Sequence, residues 1–242
     1  MRGFVDLGDD ANTYLAKMRQ GWEGAWSWDN RYTTEPSPTA YLFLFWIALG
    51  HLAALFHLPL IVVFHLARVA AAFALMAAVW AFMNHFIADR SARLFAFFFC
   101  AIGLGMGYVI QALGHPVIFG NTTDTLDWRM PELTAFYSVL ALPHFAWSGV
   151  FAAAGAVLTL KAIQRGSLGL AVLAGLCWLG QASIHPQMPI LMGGATAVAL
   201  LLRPATPRGW MAAIVTFAIP APYILYCYFA FIGNPQVQRW TF

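Results

Sequence analysis

Charged side chains are scarce in this sequence. Only 10% of its 242 residues are Asp, Glu, Lys or Arg, whereas soluble domains carry roughly 25%. Hydrophobic residues make up 61%, and apolar runs of about 20 residues, the length that crosses a hydrocarbon core of about 30 Å, recur from residue 59 onward. The composition therefore excludes an ordinary soluble domain and predicts an integral membrane protein, an all-α, polytopic bundle of transmembrane helices.

Cysteines and basic clusters are sparse as well. Cys100, Cys177 and Cys227 lie singly in apolar runs without CxxC spacing, which is typical of small core residues and not of a metal site. The sequence has no basic patch of the kind that binds nucleic acid, so no nucleic-acid partner is predicted. The opening MRGFVDLGDD lacks the apolar core of a signal peptide, so nothing cleavable is predicted there.

Six apolar runs bounded by charges, Pro or Gly are the candidate spans: 59–86, 94–113, 142–163, 167–184, 187–202 and 209–232. With six crossings, the positive-inside rule makes one set of basic loop residues cytoplasmic: Arg90, Arg93, Lys161, Arg165, Arg203 and Arg208. Asp89 is then the one acidic residue on that side. Residues 1–58 are predicted to form an extracytoplasmic loop and residues 59–242 a single membrane domain.

The run 38–56 is apolar enough to be a seventh span. If it crossed the bilayer, the opening segment would share a face with the basic loops, and the separation of charges would be lost. We therefore predict an interfacial or half-inserted helix, started by Pro38 and anchored at the membrane boundary by Tyr41 and Trp46.

Proline predicts where other helices break. Pro143 interrupts a run too long for one span, which predicts a second half-helix over 132–141. Pro220 and Pro222 predict a kink in the last span.

Residues 8–36, GDDANTYLAKMRQGWEGAWSWDNRYTTEP, are the polar and aromatic exception in this apolar chain. An apolar stripe at helical spacing predicts an amphipathic helix on the membrane surface: Tyr14, Leu15, Met18 and Trp22. Lys17 and Arg19 are expected to point elsewhere. Asp10 lies close before the start of that helix, where the simplest interpretation of its carboxylate is a helix cap.

The order of residues in this segment also resembles a known family. Asp10 is followed four residues later by Tyr14, then by Met-x-x-Gly, a Trp-rich stretch and Tyr-x-x-Glu-Pro ending at Pro36. This order resembles the first extracytoplasmic loop of the GT-C superfamily of membrane glycosyltransferases, which includes the protein mannosyltransferases and the aminoarabinose transferases, and is most similar to bacterial members. Such enzymes normally have a transmembrane helix before this loop and a considerably longer chain. The resemblance therefore implies a fragment or a reduced relative.

The resemblance implies transfer of a sugar from a polyprenyl-phosphate-linked donor to an acceptor at the extracytoplasmic face of the bacterial plasma membrane. It implies that Asp10 is the catalytic base, with Asp9 as the fallback and Glu35 orienting the acceptor or assisting an ion. The implied substrate-binding residues are Arg68, Tyr14, Glu132, His144 and His185. Some members use a divalent metal such as Mg²⁺ or Mn²⁺, for which Asp124 and Asp127 are the candidates, although TDTLDW has no fixed ligand spacing.

Plainer interpretations of three of these residues stay open. An ionised Arg68 within a span is costly, so it faces a cavity, snorkels to the surface or pairs with a buried carboxylate. His144 and His185 each adjoin a proline and suit polar packing at helix ends as well as a site.

Two other functions also stay open. A non-catalytic membrane subunit that binds a pigment, haem or lipid would use a histidine as axial ligand: His51, His57, His65, His85 or His144. A transporter would need charged groups along a path through broken helices, and beyond Arg68 the spans offer almost none.

Overall fold

The structure, a computed structural model, describes residues 8–32, 34, 38–103, 107, 109, 113–114, 117–118, 121–122, 130 and 133–234. Side chains at positions 8 and 9 and in the two short strands are outside this description. Ten α-helices have both ends within the described residues: α1 (Gly8–Trp22), α2 (Leu44–Leu55), α3 (Leu60–Phe86), α4 (Arg90–Ile102), α5 (Ala135–Leu140), α6 (Pro143–Arg165), α7 (Leu168–Ala182), α8 (Gln187–Leu202), α9 (Pro207–Ala218) and α10 (Ala221–Ile232).

The predicted helical fold class is confirmed in the described residues, with one small addition. An antiparallel hairpin pairs β1 (Val117–Ile118) with β2 (Asn121–Thr122), so that Val117 lies opposite Thr122. The apolar pattern did not predict this hairpin.

Three stretches of helix in the described ranges are long and apolar enough to cross a membrane: Leu60–Phe86, Pro143–Arg165 and Pro207–Ile232. They correspond to the first, third and last of the six predicted spans. The helices α2, α7 and α8 are apolar but contain only 12, 15 and 16 residues, fewer than the roughly 20 that a crossing needs.

Prolines and capping side chains set the helix boundaries. Pro143 begins α6, and Pro220 separates α9 from α10, because proline lacks an N–H group and clashes with the preceding turn. The short α5 stands in place of the predicted half-helix 132–141. Four helices are capped by a side-chain oxygen that accepts a hydrogen bond from a free N–H group of the first turn. The capping residues are Asp89 for α4, Thr134 for α5, Ser167 for α7 and Thr206 for α9.

The predicted start of the helix in 38–56 is wrong. The helix α2 begins at Leu44 and not at Pro38, and Phe43 before it has a left-handed backbone with φ of 56°. The reason is that Ala40 bonds to Trp28 through both its N–H and its carbonyl, at 3.0 and 2.7 Å. This bridge holds the preceding residues in an extended conformation.

By its internal contacts the chain divides into two compact units. The first comprises Met1–Ala11 and His65–Val150. Its core forms where α3 meets α6, around Leu75 and Ala146. Gly149 of α6 allows this approach, since a Cβ there would lie 2.8 Å from Leu75 Cδ1.

The second unit comprises Asn12–Phe64 and Phe151–Phe242. In its core, Trp178 of α7 is 1% exposed, and its ring abuts Gly155 of α6. Trp178 Nε1 donates a hydrogen bond to Thr159 Oγ1 at 3.0 Å. The helix α7 also packs on α9, where Thr216 Oγ1 donates to the carbonyl oxygens of Ala212 at 2.8 Å and Ala171 at 3.3 Å.

Candidate functional site

Asp10 lies inside the first turn of α1, which begins at Gly8. Its predicted position before the helix is therefore wrong, because the helix extends back over Gly8 and Asp9. The Asp10 side chain is exposed, and in the described part of the chain it has no ion pair within 4 Å. A carboxylate in a first turn is favoured by the positive end of the helix dipole. Asp10 thus supports the helix start and keeps an accessible carboxylate.

The buried face of α1 differs from the predicted stripe. Met18 is fully buried, but Lys17 is only 7% exposed, whereas Trp22 is 41% exposed. Lys17 is buried because aromatic rings surround it: its Nζ lies 3.6 Å from the ring centre of Phe43 and 4.6 Å from that of Tyr14. Such cation–π contacts offset the cost of removing an ammonium group from water.

Tyr14 is held within the contact between α1 and α2. Its ring stacks on Trp46 with the ring centres 4.3 Å apart, and Trp46 in turn stacks on Phe64. With Lys17 on the same ring, much of the aromatic surface of Tyr14 is engaged by protein. Its role in substrate binding stays a prediction.

The backbones of α1 and α2 touch at two glycines. A Cβ at Gly21 would clash with the carbonyl oxygen of Ile47, and a Cβ at Gly50 would clash with the carbonyl oxygen of Met18. Both obstacles are backbone atoms, which cannot move aside as a flexible side chain does. This contact therefore fixes the distance between the two helices.

Gly50→Ala should separate these helices and lower the stability of the protein by about 1–3 kcal/mol, since overpacking a tight contact forces the backbone to shift. The matched control is Gly194→Ala in α8, because a Cβ at Gly194 meets nothing within 4 Å and alanine is the better helix former. Thermal unfolding in detergent measures both changes. Equal midpoints for the two variants would contradict the close crossing.

The segment that follows α1 folds back onto it. Gln20 binds both backbone groups of Asp29: its Nε2 donates to the carbonyl at 2.9 Å, and its Oε1 accepts from the N–H at 2.8 Å. Together with the bridge between Trp28 and Ala40, these bonds join the segment to the start of α2.

Two tyrosines of α10 hold the same segment from the other end. Tyr226 Oη accepts a hydrogen bond from the backbone N–H of Tyr41 at 2.8 Å, and Tyr223 Oη donates to the Tyr41 carbonyl at 3.1 Å. Beside them, Cys227 is buried with Leu42. Both backbone groups of Tyr41 are thus bound by α10, and we call this pair of hydrogen bonds the clasp. The prediction of Tyr41 as a boundary anchor did not include this role.

A cluster of exposed charges lies at the end of α1. Arg19 Nε lies 2.7 Å from Glu23 Oε1, and Arg31 Nη1 lies 3.1 Å from Glu23 Oε2. The hydrogen bonds from Arg19 and then Arg31 lower the pKa of Glu23 below its ordinary value. A lowered pKa means that Glu23 stays ionised at neutral pH, and these contacts are lost only as the pH falls through that lowered value.

Arg68 is half-buried in α3 and donates a hydrogen bond to the C-terminal end of α5. Its Nη1 donates to the carbonyl oxygen of Leu140 at 3.1 Å. Leu140 is the last residue of α5, where a carbonyl lacks its usual helical partner. In the described ranges no carboxylate lies within 4 Å of Arg68. The alternative of a buried ion pair is therefore not observed in this part of the chain.

The histidines occupy different settings. His144 is buried in the first turn of α6, with its ring centre 4.0 Å from that of Phe145. His185 is half-buried between α7 and α8. His51 Nε2 bonds to the carbonyl of Ala25 at 3.0 Å, and the His51 ring stacks on Trp26. These contacts hold the His51 ring in place, and its possible role as an axial ligand stays a prediction.

The chain matches no model of a known protein family, no curated protein and no solved structure. Its function is therefore inferred from its own residues.

The predicted site residues fall into three groups. Asp10, Arg68 and His144 belong to the first unit, and no hydrogen bond or ion pair within the described part joins Asp10 to Arg68. Tyr14 and His185 belong to the second unit. A third group lies outside the described residues, together with the side chain of Asp9: Glu35, Asp124, Asp127 and Glu132.

Sequence reasoning missed the buried Lys17 and the clasp of Tyr223 and Tyr226. The clasp did leave a signal, since two tyrosines three residues apart lie on one face of a helix. The sequence gives no signal for the burial of Lys17, because its main aromatic partner, Phe43, comes 26 positions later.

Proposed function

We propose that this chain is, or forms part of, a membrane glycosyltransferase of the GT-C type. It transfers a sugar from a polyprenyl-phosphate donor to an acceptor hydroxyl at the extracytoplasmic surface of the bilayer. The observation that carries this proposal is the setting of Arg68, and the accessible carboxylate of Asp10 supports it.

A guanidinium group within a long apolar helix is costly unless something matches its charge. The partner of Arg68 among the described residues is one backbone carbonyl, which occupies one of five N–H donors and carries no net charge. A phosphate group supplies the missing charge and suits the planar fork of donors. The phosphate of a lipid-linked sugar also reaches such a position from within the bilayer.

Asp10 supplies the base. It takes the proton from the acceptor hydroxyl, for which the two oxygens must come within about 3 Å, directly or through one water. The hydroxyl oxygen bonds to the anomeric carbon, the bond from that carbon to the phosphate oxygen breaks, and the electron pair leaves with the lipid phosphate. Because this phosphate is a good leaving group, base assistance and orientation are enough. Asp9 is the alternative base, and Glu35 orients the acceptor.

We further propose that the chain crosses the membrane six times. The three long stretches are three of the spans, and the other three are the region that starts at α4, the helix α7 and the helix α8. At 1.5 Å per residue, α7 and α8 are about 22 and 24 Å long. Thinning of the bilayer and snorkelling of flanking arginines, such as Arg165 and Arg203, accommodate short spans. In this arrangement the basic loops are cytoplasmic, and Asp10 is extracytoplasmic.

No step of this mechanism passes through a metal. Within the described residues, no three His, Cys, Asp or Glu side chains come together in a way that holds an ion. The sequence candidates for Mg²⁺ or Mn²⁺, Asp124 and Asp127, lie outside those residues.

Binding of polyprenyl phosphate to Arg68 variants tests the proposal. Arg68→Gln should weaken binding about 10-fold to 100-fold, since a hydrogen bond to a charged group contributes about 1.5–3 kcal/mol. Arg68→Lys keeps the charge but loses the fork, so its affinity should fall between those of Arg68→Gln and the unchanged protein. Titration of the detergent-solubilised protein, monitored by tryptophan fluorescence, gives the dissociation constants.

Arg93→Gln is the matched control. Arg93 is also an arginine of the first unit, but it lies in the first turn of α4, bonds to Asn84 and lies over the ring of Trp80 at 5.4 Å. This variant should bind polyprenyl phosphate like the unchanged protein. Equal affinities for Arg68→Gln and Arg93→Gln would refute the proposed role of Arg68.

A further inference from the structure

A groove of about 520 Å³ opens in the second unit, between the end of α1 and the turn that joins α2 to α3. Its lining combines cationic, aromatic and apolar side chains: Arg19, Trp22, His57, Leu58, Pro59 and Leu60. The proposed sugar transfer uses none of them.

His57 occupies a backbone position that favours glycine. Its φ is 53°, and the N–H groups of His57 and Leu58 bond back to the carbonyls of Ala54 and Ala53 at 3.2 and 2.9 Å. This arrangement ends a helix with a left-handed residue, where glycine is usual because a Cβ is strained there. The His57 side chain is exposed and lines the groove, so the strained position serves to present an imidazole.

Arg19 presents donors to the same groove. Its guanidinium lies over the Trp22 ring, 4.4 Å from the ring centre, and its Nε is bound to Glu23 at 2.7 Å. In the described part of the chain the two terminal amino groups have no hydrogen-bond partner. Since one contact holds the plane of the group and the other holds its Nε, these amino groups are oriented in advance.

Leu58, Pro59 and Leu60 form the apolar part of the groove lining. Leu55 and Phe56, immediately before His57, are 69% and 63% exposed. Side chains of this kind favour the hydrocarbon side of a membrane boundary, and tryptophans such as Trp22 favour the headgroup level. A ligand that satisfies both parts of the groove has an anionic head and an apolar tail.

We propose that this groove binds a phospholipid of the surrounding leaflet. The terminal amino groups of Arg19 and the imidazole of His57 donate to its phosphate oxygens, and its upper acyl carbons pack on Leu58 and Leu60. Spacing along α1 separates this lipid from the sugar donor. Arg19 lies nine residues after Asp10, about 13.5 Å along the helix axis at 1.5 Å per residue, whereas the phosphate of a donor is bonded directly to the carbon at which the reaction occurs.

The test titrates the full chain in detergent with dioleoylphosphatidylglycerol and counts retained lipid by native mass spectrometry. Dioleoylglycerol, which has the same tails without the phosphate, should be retained at least about fivefold less. Arg19→Gln and His57→Gly should each lower retention of phosphatidylglycerol about fivefold or more. His57→Gly should not lower the thermal midpoint, because glycine suits the left-handed position.

Arg31→Gln is the control, since Arg31 shares Glu23 with Arg19 but does not line the groove. Its retention of phosphatidylglycerol should equal that of the unchanged protein. Equal losses from Arg31→Gln and Arg19→Gln, or equal retention of the two lipids, would overturn the proposal. Displacement of phosphatidylglycerol by an equimolar amount of polyprenyl phosphate would assign the groove to the donor instead, and displacement by inorganic phosphate would show that the tail contributes nothing. Asp10→Asn should leave retention unchanged, so this proposal can fail independently of the sugar transfer.

Discussion

Changing Asp10 to asparagine should lower the rate of sugar transfer by about 100-fold or more, because general-base catalysis contributes about 10²-fold to 10⁴-fold and an amide cannot accept the proton. The fold should survive, since the Asp10 side chain is exposed and surface substitutions rarely change stability by more than about 0.5 kcal/mol. Transfer from a polyprenyl-phosphate sugar to an acceptor, assayed on purified protein in lipid nanodiscs, measures the effect.

Asp29→Asn controls for the loss of one negative charge from the same opening segment. Asp29 lies 3.9 Å from Arg31, with both side chains about half exposed, and an exposed pair of this kind contributes little. Turnover in this variant should change by no more than about twofold. Normal turnover of Asp10→Asn would remove Asp10 from the mechanism, and a large loss confined to Asp9→Asn would transfer the role to Asp9.

Removing the indole of Trp178 should cost about 3–5 kcal/mol of stability, the range found when a buried Phe or Trp is cut to alanine. Trp178 is 1% exposed, contacts Gly155 through its ring and lies 6.2 Å from Phe217 between ring centres. In a membrane, packing of this kind holds helices together where water exclusion does not. Trp178→Ala should therefore loosen α7 from both α6 and α9.

Trp178→Phe keeps part of the packing. Phenylalanine retains a six-membered ring but loses the rest of the indole with the N–H that donates to Thr159, so its cost should exceed the roughly 1 kcal/mol of the hydrogen bond and stay below that of Trp178→Ala. Unfolding of both variants by sodium dodecyl sulfate in mixed micelles gives the two free energies. A loss below about 1 kcal/mol for Trp178→Ala would mean that α7 does not depend on this contact.

The long helices were predictable because their signals are local. A run of apolar residues as long as the bilayer is thick, ending at charges or proline, specifies a helix wherever the rest of the chain lies. The predicted spans 59–86 and 187–202 differ from α3 and α8 by no more than one residue at either end. The break at Pro220 follows from the same local chemistry.

Features set by distant contacts were not predictable. The start of α2 moved to Leu44 because Ala40 pairs with Trp28, and no property of Pro38 indicates that pairing. The periodicity of α1 assigned Lys17 to the polar face. Its burial depends on Phe43, which lies on another segment.

The candidate site likewise combines a feature that the local sequence indicates with contacts that depend on distant residues. Arg68 was recognised from the sequence because a cation in an apolar run is conspicuous. Its contact with Leu140, 72 residues later, depends on how α5 ends beside α3. The groove at His57 was not recognised, because a left-handed backbone at a histidine leaves no mark in the sequence.

The clasp on Tyr41 has a consequence for how the protein is made. Its two hydrogen bonds join residues 185 and 182 positions apart, so the backbone of Tyr41 is not held in this way until α10 has been synthesised. At synthesis rates of about 5–20 residues per second, that interval is on the order of ten to forty seconds. During this time the opening segment is held by its local contacts alone, and a ribosome that stops before α10 releases a chain in which the two bonds to Tyr41 never form.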